Sequence, residues 1–385
     1  MLNEKVFKYF ALIVLCCRKT GSTPFLWDDK PRRLFSTNKF RNKTRFRFSV
    51  HIAYLIYCVV KAILLRANVG SFNFCLCMAY AMAMNILISL PVTMYDSDFA
   101  ALVNCNFRFI NEYQRRWSNY KDPYLKELNK YATYSFHFAG ISATTCWICV
   151  IWLYFVAPLT APYPYEGLPA YCHGWIAYLG LGYWYSLLMM RVWATFGFIM
   201  VNVLIYVICL FPIITNHLRG DVSHGLSKSE DLHDPVNLSR VYRSVEILHM
   251  LFLENCGYLL VPMQSMVGQF ALIVNYSVIT KWNEMKGAAK ASLIFSSLMV
   301  QGAWLGFATF GTWFNNNSVK VLKSWKKISY TSKGEMKYMG KFRKSCRPLY
   351  IGYPGMLRIR KVTVLKYVQG VTRGTFRVLV GLKTA

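Results

Sequence analysis

The sequence predicts an all-α integral membrane protein of seven transmembrane helices, with a cytoplasmic amino terminus and an extracellular carboxyl terminus. Hydrophobic residues make up 55% of the 385 and charged residues only 16%. The apolar residues fall in long uninterrupted runs, as in a chain whose solvent is lipid. Lys and Arg gather in alternate connections between those runs. The terminal run, residues 362–382, is long and hydrophobic enough to cross a bilayer although it carries Lys366, Arg373 and Arg377.

The first apolar segment, residues 6–17, is too short to span a bilayer. Lys5, Lys8, Arg18 and Lys19 bracket it and no small-residue cleavage site follows, so it reads as an interfacial helix rather than a signal peptide. Six runs follow at 49–66, 72–95, 132–157, 190–215, 257–280 and 289–313, most near the ~20 residues that cross the hydrocarbon core. Residues 174–215 carry Arg191 as their only charge and would hold two spans if the chain turned at Gly180-Leu181-Gly182. A second span there would reverse every later connection and put the basic block 314–361 outside. One span over 190–215 is therefore predicted. Residues 158–189, with Pro158, Pro162, Pro164 and Pro169, then form a structured outer loop. The chain divides into a basic cytoplasmic segment 1–48 with a short amphipathic helix, a six-helix bundle 49–313 with cytoplasmic loops 96–131 and 216–256, and residues 314–385, a basic stretch leading into the last helix.

The net charge is +28, and the stretches 1–48, 96–131, 216–256 and 314–361 hold 12, 6, 4 and 13 Lys or Arg, 35 of the 45. Their alternation sets the orientation through the positive-inside rule. A basic surface so placed meets anionic lipid head groups, so membrane lipid is the expected partner and nucleic acid is not.

Site chemistry of the enzymatic kind is thin. Cys146 and Cys149 have Cys-x-x-Cys spacing but lie in an apolar run with no second pair, where packing is the default. His217, His224 and His233 fall in a cytoplasmic loop without metal-ligand spacing and read as solvated. Asn-x-Ser/Thr sequons at Asn42, Asn237, Asn275 and Asn316 fall inside or within a span, so none is a good glycan site. No paired carboxylates, nucleophile elbow or phosphate loop is found. No cofactor, metal or enzymatic activity is expected. Spans nearly free of carboxylates and halves without a repeat argue against a coupled carrier. A multi-pass transporter or non-channel scaffold is the alternative to a channel.

The terminal helix carries the sharpest signal. Lys366, Arg373 and Arg377 stand at relative positions 0, 7 and 11 among Gly370, Gly374 and Gly381, which draws a basic and glycine stripe down one side. Charge within a membrane segment normally faces water or protein. The plainer reading is a helix lying on the membrane with its charges among the head groups.

Seven spans with the amino end inside invert the topology of a G-protein-coupled receptor. The ending Gly374-Thr375-Phe376-Arg377-Val378-Leu379-Val380-Gly381-Leu382-Lys383 resembles the last helix of insect-type odorant and gustatory receptors, where a Thr-Tyr pair leads through hydrophobics to Gln. The run Lys344-Ser345-Cys346-Arg347-Pro348-Leu349-Tyr350-Ile351 is similar to the segment entering that helix, and the loop proportions agree. The resemblance leans to the odorant type. It implies a tetrameric ligand-gated cation channel, a homotetramer or a heterotetramer with a co-receptor, whose last helices surround a central pore. The inner ends of the later helices would form an anchor around the axis. The resemblance puts Val378 and Leu382 at a hydrophobic gate, with Gly374 and Gly381 in place of Thr and Gln and with Arg373 and Arg377 on the pore flank. Four arginines on the axis itself would disfavour cations.

The same resemblance implies that a small apolar organic ligand binds among the outer halves of spans two, three, four and six. Those halves carry Phe74, Tyr80, Trp147, Trp152, Tyr154, Tyr185, Met189, Trp193, Phe295 and Met299. Aromatic and Met walls suit apolar ligands through area burial. Helix packing or an interfacial aromatic belt is the competing role for each residue taken singly.

Overall fold

The computed structural model describes residues 4–117, 123–220, 231–280, 283, 287–330 and 332–381. Its helices, in chain order, are α1 (Glu4–Thr20), α2 (Asn38–Leu64), α3 (Val69–Thr93), α4 (Asp96–Trp117), α5 (Pro123–Val156), α6 (Trp175–Pro212), α7 (Pro235–Cys256), α8 (Leu260–Thr280), α9 (Gly287–Ser324), α10 (Lys333–Ser345) and α11 (Lys361–Gly381). Two antiparallel hairpins complete it: β1 (Phe25–Asp28) with β2 (Arg33–Ser36), and β3 (Gly352–Tyr353) with β4 (Leu357–Arg358).

Among the described residues six stretches are long and apolar enough to cross a membrane: Asn38–Leu64, Gly70–Thr93, Ala132–Val156, Trp175–His217, Pro235–Thr280 and Leu293–Lys327. Within the fifth the apolar part is α8, since α7 carries Arg240, Arg243, Glu246 and Glu254. The 21 residues of α11 span about 32 Å. Four cations, Lys361, Lys366, Arg373 and Arg377, keep it out of that apolar set.

One sequence expectation changes here. Residues 175–189, assigned to the outer loop, form the first turns of α6, which runs unbroken for 38 residues from an N-cap at Gly174. The Gly180-Leu181-Gly182 stretch does not turn. Instead Gly182 admits a neighbouring helix, because a Cβ there would lie 2.8 Å from Cε1 of Tyr154. The irregular connection is thus confined to residues 157–174. Residues 96–131 and 216–256, expected as cytoplasmic loops, are largely helical too among the described residues, as α4, the start of α5, and α7. Asp234 caps α7 by accepting from Val236 and Asn237 N–H, with Pro235 in its first turn. Ser332 and Glu335 form a capping box on α10.

The amphipathic α1 packs one face into the bundle. Val6, Phe7, Phe10, Val14 and Cys17 are buried against β1, α4, α5 and α6. The helix ends in a Schellman motif: Ser22 N–H donates to Cys17 O at 2.8 Å and Gly21 N–H to Arg18 O at 3.0 Å, with Gly21 at φ +69°. The motif leaves Thr20 O free to accept from two arginines, Arg47 Nη1 of α2 at 2.6 Å and Arg191 Nε of α6 at 3.2 Å. One carbonyl at the negative end of α1 thereby ties three helices together.

The largest core lies at the basic end, where α6, α7, α9, α10 and residues 346–359 meet around Tyr242, Phe314, Val321 and Trp325. Tyr206 and Phe252 stack there at 4.3 Å. Cys346 is packed into this core, and burial pushes its thiol up to about 11 against the opposing pull of the nearby Arg243 guanidinium. The thiol is therefore protonated and inert at neutral pH.

Replacing Gly21 by Ala should lower thermal stability, because any Cβ would sit 1.2 Å from Arg47 Nη1 at a backbone angle that L residues rarely adopt. The backbone contribution alone is about 1–3 kcal/mol. Adding Arg47→Ala should restore the steric part only, and a melting curve of G21A that overlays the parent would refute the motif.

Candidate functional site

At the end opposite the large basic core, one aromatic cluster joins α2, α3, α5, α6 and the connecting loop. Its centre is Tyr154, Tyr163 and Tyr185, with every pair of ring centroids 5.5 Å apart. Tyr54 of α2 adds an edge contact to Tyr185 at 6.0 Å, and Met82, Leu188 and Met189 close the apolar wall. Hydrogen bonds fix the orientation of the rings. Tyr154 Oη donates to Tyr178 O at 3.1 Å, Tyr178 Oη to Phe155 O at 3.0 Å, and Trp147 Nε1 to Ser186 O at 3.1 Å. The loop is pinned over the cluster by the Lys61–Glu166 ion pair at 2.7 Å and by Tyr54 Oη donating to Pro162 O at 3.3 Å. Tyr185 Oη is buried and meets no hydrogen-bond partner.

The structure divides the predicted ligand residues into three groups. Tyr154, Tyr185 and Met189 are core members of this cluster, with Trp147 and Trp193 at its edge. Phe74 and Tyr80 belong to a second cluster with α8, α9 and Tyr367 of α11, where Tyr80 Oη donates to Gln269 Oε1 at 2.8 Å. Phe74 and Tyr163 touch at 6.3 Å and so join the two clusters. Trp152, Phe295 and Met299 are instead 68%, 47% and 47% exposed and face outward from the single chain. Sequence reasoning missed Tyr54, Tyr163, Tyr165 and Tyr178. The last three sit in or beside the proline-rich connection, whose path periodicity does not give. Their one sequence signal is the density of Tyr in 163–185.

The last helix packs along α8 and α9 rather than lying apart from the bundle. Gly374 admits Leu272, whose Cδ2 would lie 2.7 Å from a Cβ at that position. Asn275 Nδ2 donates to Thr375 Oγ1 at 3.0 Å, a polar tie between two helices. Tyr367 is buried on the same side, and Val371 and Val378 are half-buried. Val378 thus shares the α8-facing side with Gly374 and Thr375, one turn beyond Gly374. Lys366, Gly370, Arg373, Arg377 and Gly381 are exposed along one flank. Leu365, Phe376 and Val380, exposed by 69%, 65% and 66%, are turned away from α8. Leu382 lies outside the described residues.

Among the described residues no group of three His, Cys, Asp or Glu is placed to hold a metal ion. Cys146 and Cys149 are free thiols. His217, read as solvated, shares a 2.8 Å hydrogen bond through Nδ1 with Tyr113 Oη. His224 lies outside the described residues, and His233 sits in a short 3-10 turn before α7.

No protein-family description matches the sequence, and no curated protein matches it either. The fold does have solved counterparts. The insect olfactory receptor OR5 of Machilis hrabei in complex with eugenol superposes with a TM-score of 0.71 at 10% identity, covering 97% of this chain and 98% of that one. A second structure of the same receptor gives 0.71 at 9% identity, with 97% of both chains covered. The chain is an all-α, multi-pass membrane protein with the fold of an insect olfactory receptor.

Two hydroxyl deletions test the cluster. Tyr185→Phe removes an unpartnered buried hydroxyl and should leave the melting temperature unchanged or raise it. Tyr154→Phe should destabilise by about 1 kcal/mol through loss of the bond to Tyr178 O. Equal effects in detergent-solubilised protein would contradict this hydrogen-bond assignment.

Proposed function

We propose that this chain is a plasma-membrane chemosensory receptor and a subunit of a ligand-gated cation channel. The observation that carries the reading is the superposition over 97% of the chain on an olfactory receptor solved with eugenol. Small apolar organic compounds are the ligand class. Their site is the loop-covered cluster around Tyr154, Tyr163 and Tyr185, whose walls are aromatic and Met side chains with few directional groups. The amino terminus is cytoplasmic and the carboxyl terminus extracellular, with α11 as the seventh span. Four copies, or copies with a co-receptor subunit, bring their α11 helices around one axis.

The packing of α11 refines the gate assignment. Val378 is half-buried on the α8 side of its own chain, and the exposed face bearing Leu365, Phe376 and Val380 is the one we place toward the axis. Arg377 then lies on the flank, about 100° around the helix from Phe376, in contact with a neighbouring subunit or the outer water, while Arg373, seven residues before Val380 and so about 20° from it, stands at the edge of the axial face.

Tags at each end, read in intact cells, test the orientation: the carboxyl tag should be accessible and the amino tag should not. In patch recordings with and without a co-receptor, Phe376→Ala should raise resting conductance several-fold while Val378→Ala changes it little. The reverse order, at matched surface expression, would return the gate to Val378. No current under any small aromatic volatile, from protein that reaches the surface in either combination, would defeat the channel reading.

A further inference from the structure

A cleft of about 990 Å³ opens at the basic end, far from the aromatic cluster. One wall is the outward stripe of α4 carrying Arg108, Asn111 and Arg115, and the other is the turn between β1 and β2, with Lys30, Arg32 and Arg33. Five cations line it against one carboxylate, Glu112, and that carboxylate is engaged by Arg116 at 2.7 Å. Among the described residues Lys30, Arg33, Arg108 and Arg115 have no carboxylate within ion-pair distance. Asp28 and Asp29, the acids of the hairpin, do not line the cleft, and Asp28 accepts from the backbone N–H of Lys30 at 3.2 Å.

The walls are held in place by contacts of their own. Asn104 of α4 clamps β2 through both halves of its carboxamide, accepting from Leu34 N–H at 2.7 Å and donating to Leu34 O at 2.8 Å. Arg32 has φ +51°, a conformation uncommon outside glycine, and its guanidinium rests over the Phe7 ring at 4.3 Å. The two walls therefore carry like-charged side chains on backbones held at a defined spacing, and a multivalent anion relieves their repulsion. Asn111 lines the same cleft with a buried carboxamide oxygen that has no hydrogen-bond partner. Phosphate oxygens suit the arginines, which bind them through paired N–H groups. A hydroxyl is the donor that the Asn111 oxygen lacks, and it would reach that oxygen once the carboxamide turns toward the cleft. Together these describe a polyol carrying phosphomonoesters.

The membrane is the source the surface favours. Arg33 and Phe35 are both exposed and, two residues apart in a strand, lie on one face of β2. A cation lining the cleft thus stands beside an uncovered phenyl ring, the pairing found where protein meets head groups. We propose that this cleft binds the phosphorylated head group of a phosphoinositide-type membrane lipid. The orientation proposed above would put that lipid in the cytoplasmic leaflet; the binding chemistry itself does not depend on it.

The test uses the full chain in detergent micelles and a fluorescent short-chain phosphatidylinositol 4,5-bisphosphate. Arg108 and Arg115 are exposed, so Arg108→Gln with Arg115→Gln should leave melting unchanged and weaken binding at least tenfold. Lys326→Gln with Lys327→Gln, exposed basic residues elsewhere, should leave affinity intact. Phosphatidylserine at matched charge should compete poorly, and soluble inositol trisphosphate should compete but bind less tightly than the lipid. Wild-type affinity in the Arg108/Arg115 pair, an equal loss in the lysine pair, or equal competition by phosphatidylserine overturns the site. Soluble inositol phosphate binding as tightly as the lipid overturns the membrane source. None of these readings involves current or tag accessibility, so failure here and failure of the channel reading are told apart.

Discussion

The position of the last helix depends on how residues 347–351 are held. This segment crosses the basic-end core with no strand beside it, so buried backbone groups must find side-chain partners. Ser318 Oγ accepts from Leu349 N–H at 2.7 Å and Asn315 Nδ2 donates to Leu349 O at 2.9 Å, both from α9. From α7, Tyr242 Oη donates to Arg347 O at 2.8 Å and His249 Nε2 reaches Tyr350 O at 2.9 Å. With His249 Nε2 donating to that carbonyl, Nδ1 accepts from Tyr206 Oη of α6 at 2.6 Å. Leaving any one of these groups unpaired inside the core would cost about 1–3 kcal/mol. Four such ties leave α11 one place to start, and Ile359 N–H donating to Ile351 O at 3.0 Å closes the turn before it.

A second constraint holds the other side of the basic half. Arg47 and Arg191 come from helices far apart in sequence, yet both end on Thr20 O. The close approach exists because Gly21 carries no side chain. Docking α1 in this way also brings Phe7 under Arg32 and completes one wall of the basic cleft. The amphipathic amino end is thus a structural member of the bundle, and its basic flanks are divided between bonds inside the fold and charges offered outward.

Six apolar spans were legible in the sequence because length and hydropathy record the thickness of the bilayer directly, whereas α11, the expected seventh, falls outside that set. The extent of α6 was not legible. A helix of 38 residues is about 57 Å long, well beyond a hydrocarbon core of about 30 Å. Hydropathy gives no sign of whether the excess projects as helix or folds back as loop. Gly180 and Gly182 looked like turn residues, but Gly182 is small because Tyr154 packs on it. The ligand residues show the same limit. Of the residues expected at a ligand site, Tyr154, Tyr185 and Met189 pack together, whereas Trp152, Phe295 and Met299 face outward from the single chain, a division hydropathy cannot give because two sides of an apolar helix in lipid are chemically alike. The resemblance in the tail located the helix, and only its packing on Leu272 and Asn275 set its rotation.

The two aromatic clusters also bear on how a ligand would reach α11. Tyr163 sits in the first cluster and touches Phe74 of α3; Phe74 shares the second cluster with Val267, Phe270 and Trp304, and that cluster contains Tyr367 of α11. A displacement of the Tyr154–Tyr163–Tyr185 rings therefore meets the last helix through packed side chains, without passing through the basic-end core. That core, with its four bonded backbone groups, is stiff by comparison. The 347–351 segment sets where α11 starts, the aromatic path meets it at Tyr367, and α8 holds its second half at Gly374 and Thr375. A tilt of α11 about its first turn would work against the Asn275–Thr375 bond and would carry the proposed gate residues Phe376 and Val380 farther than Leu365.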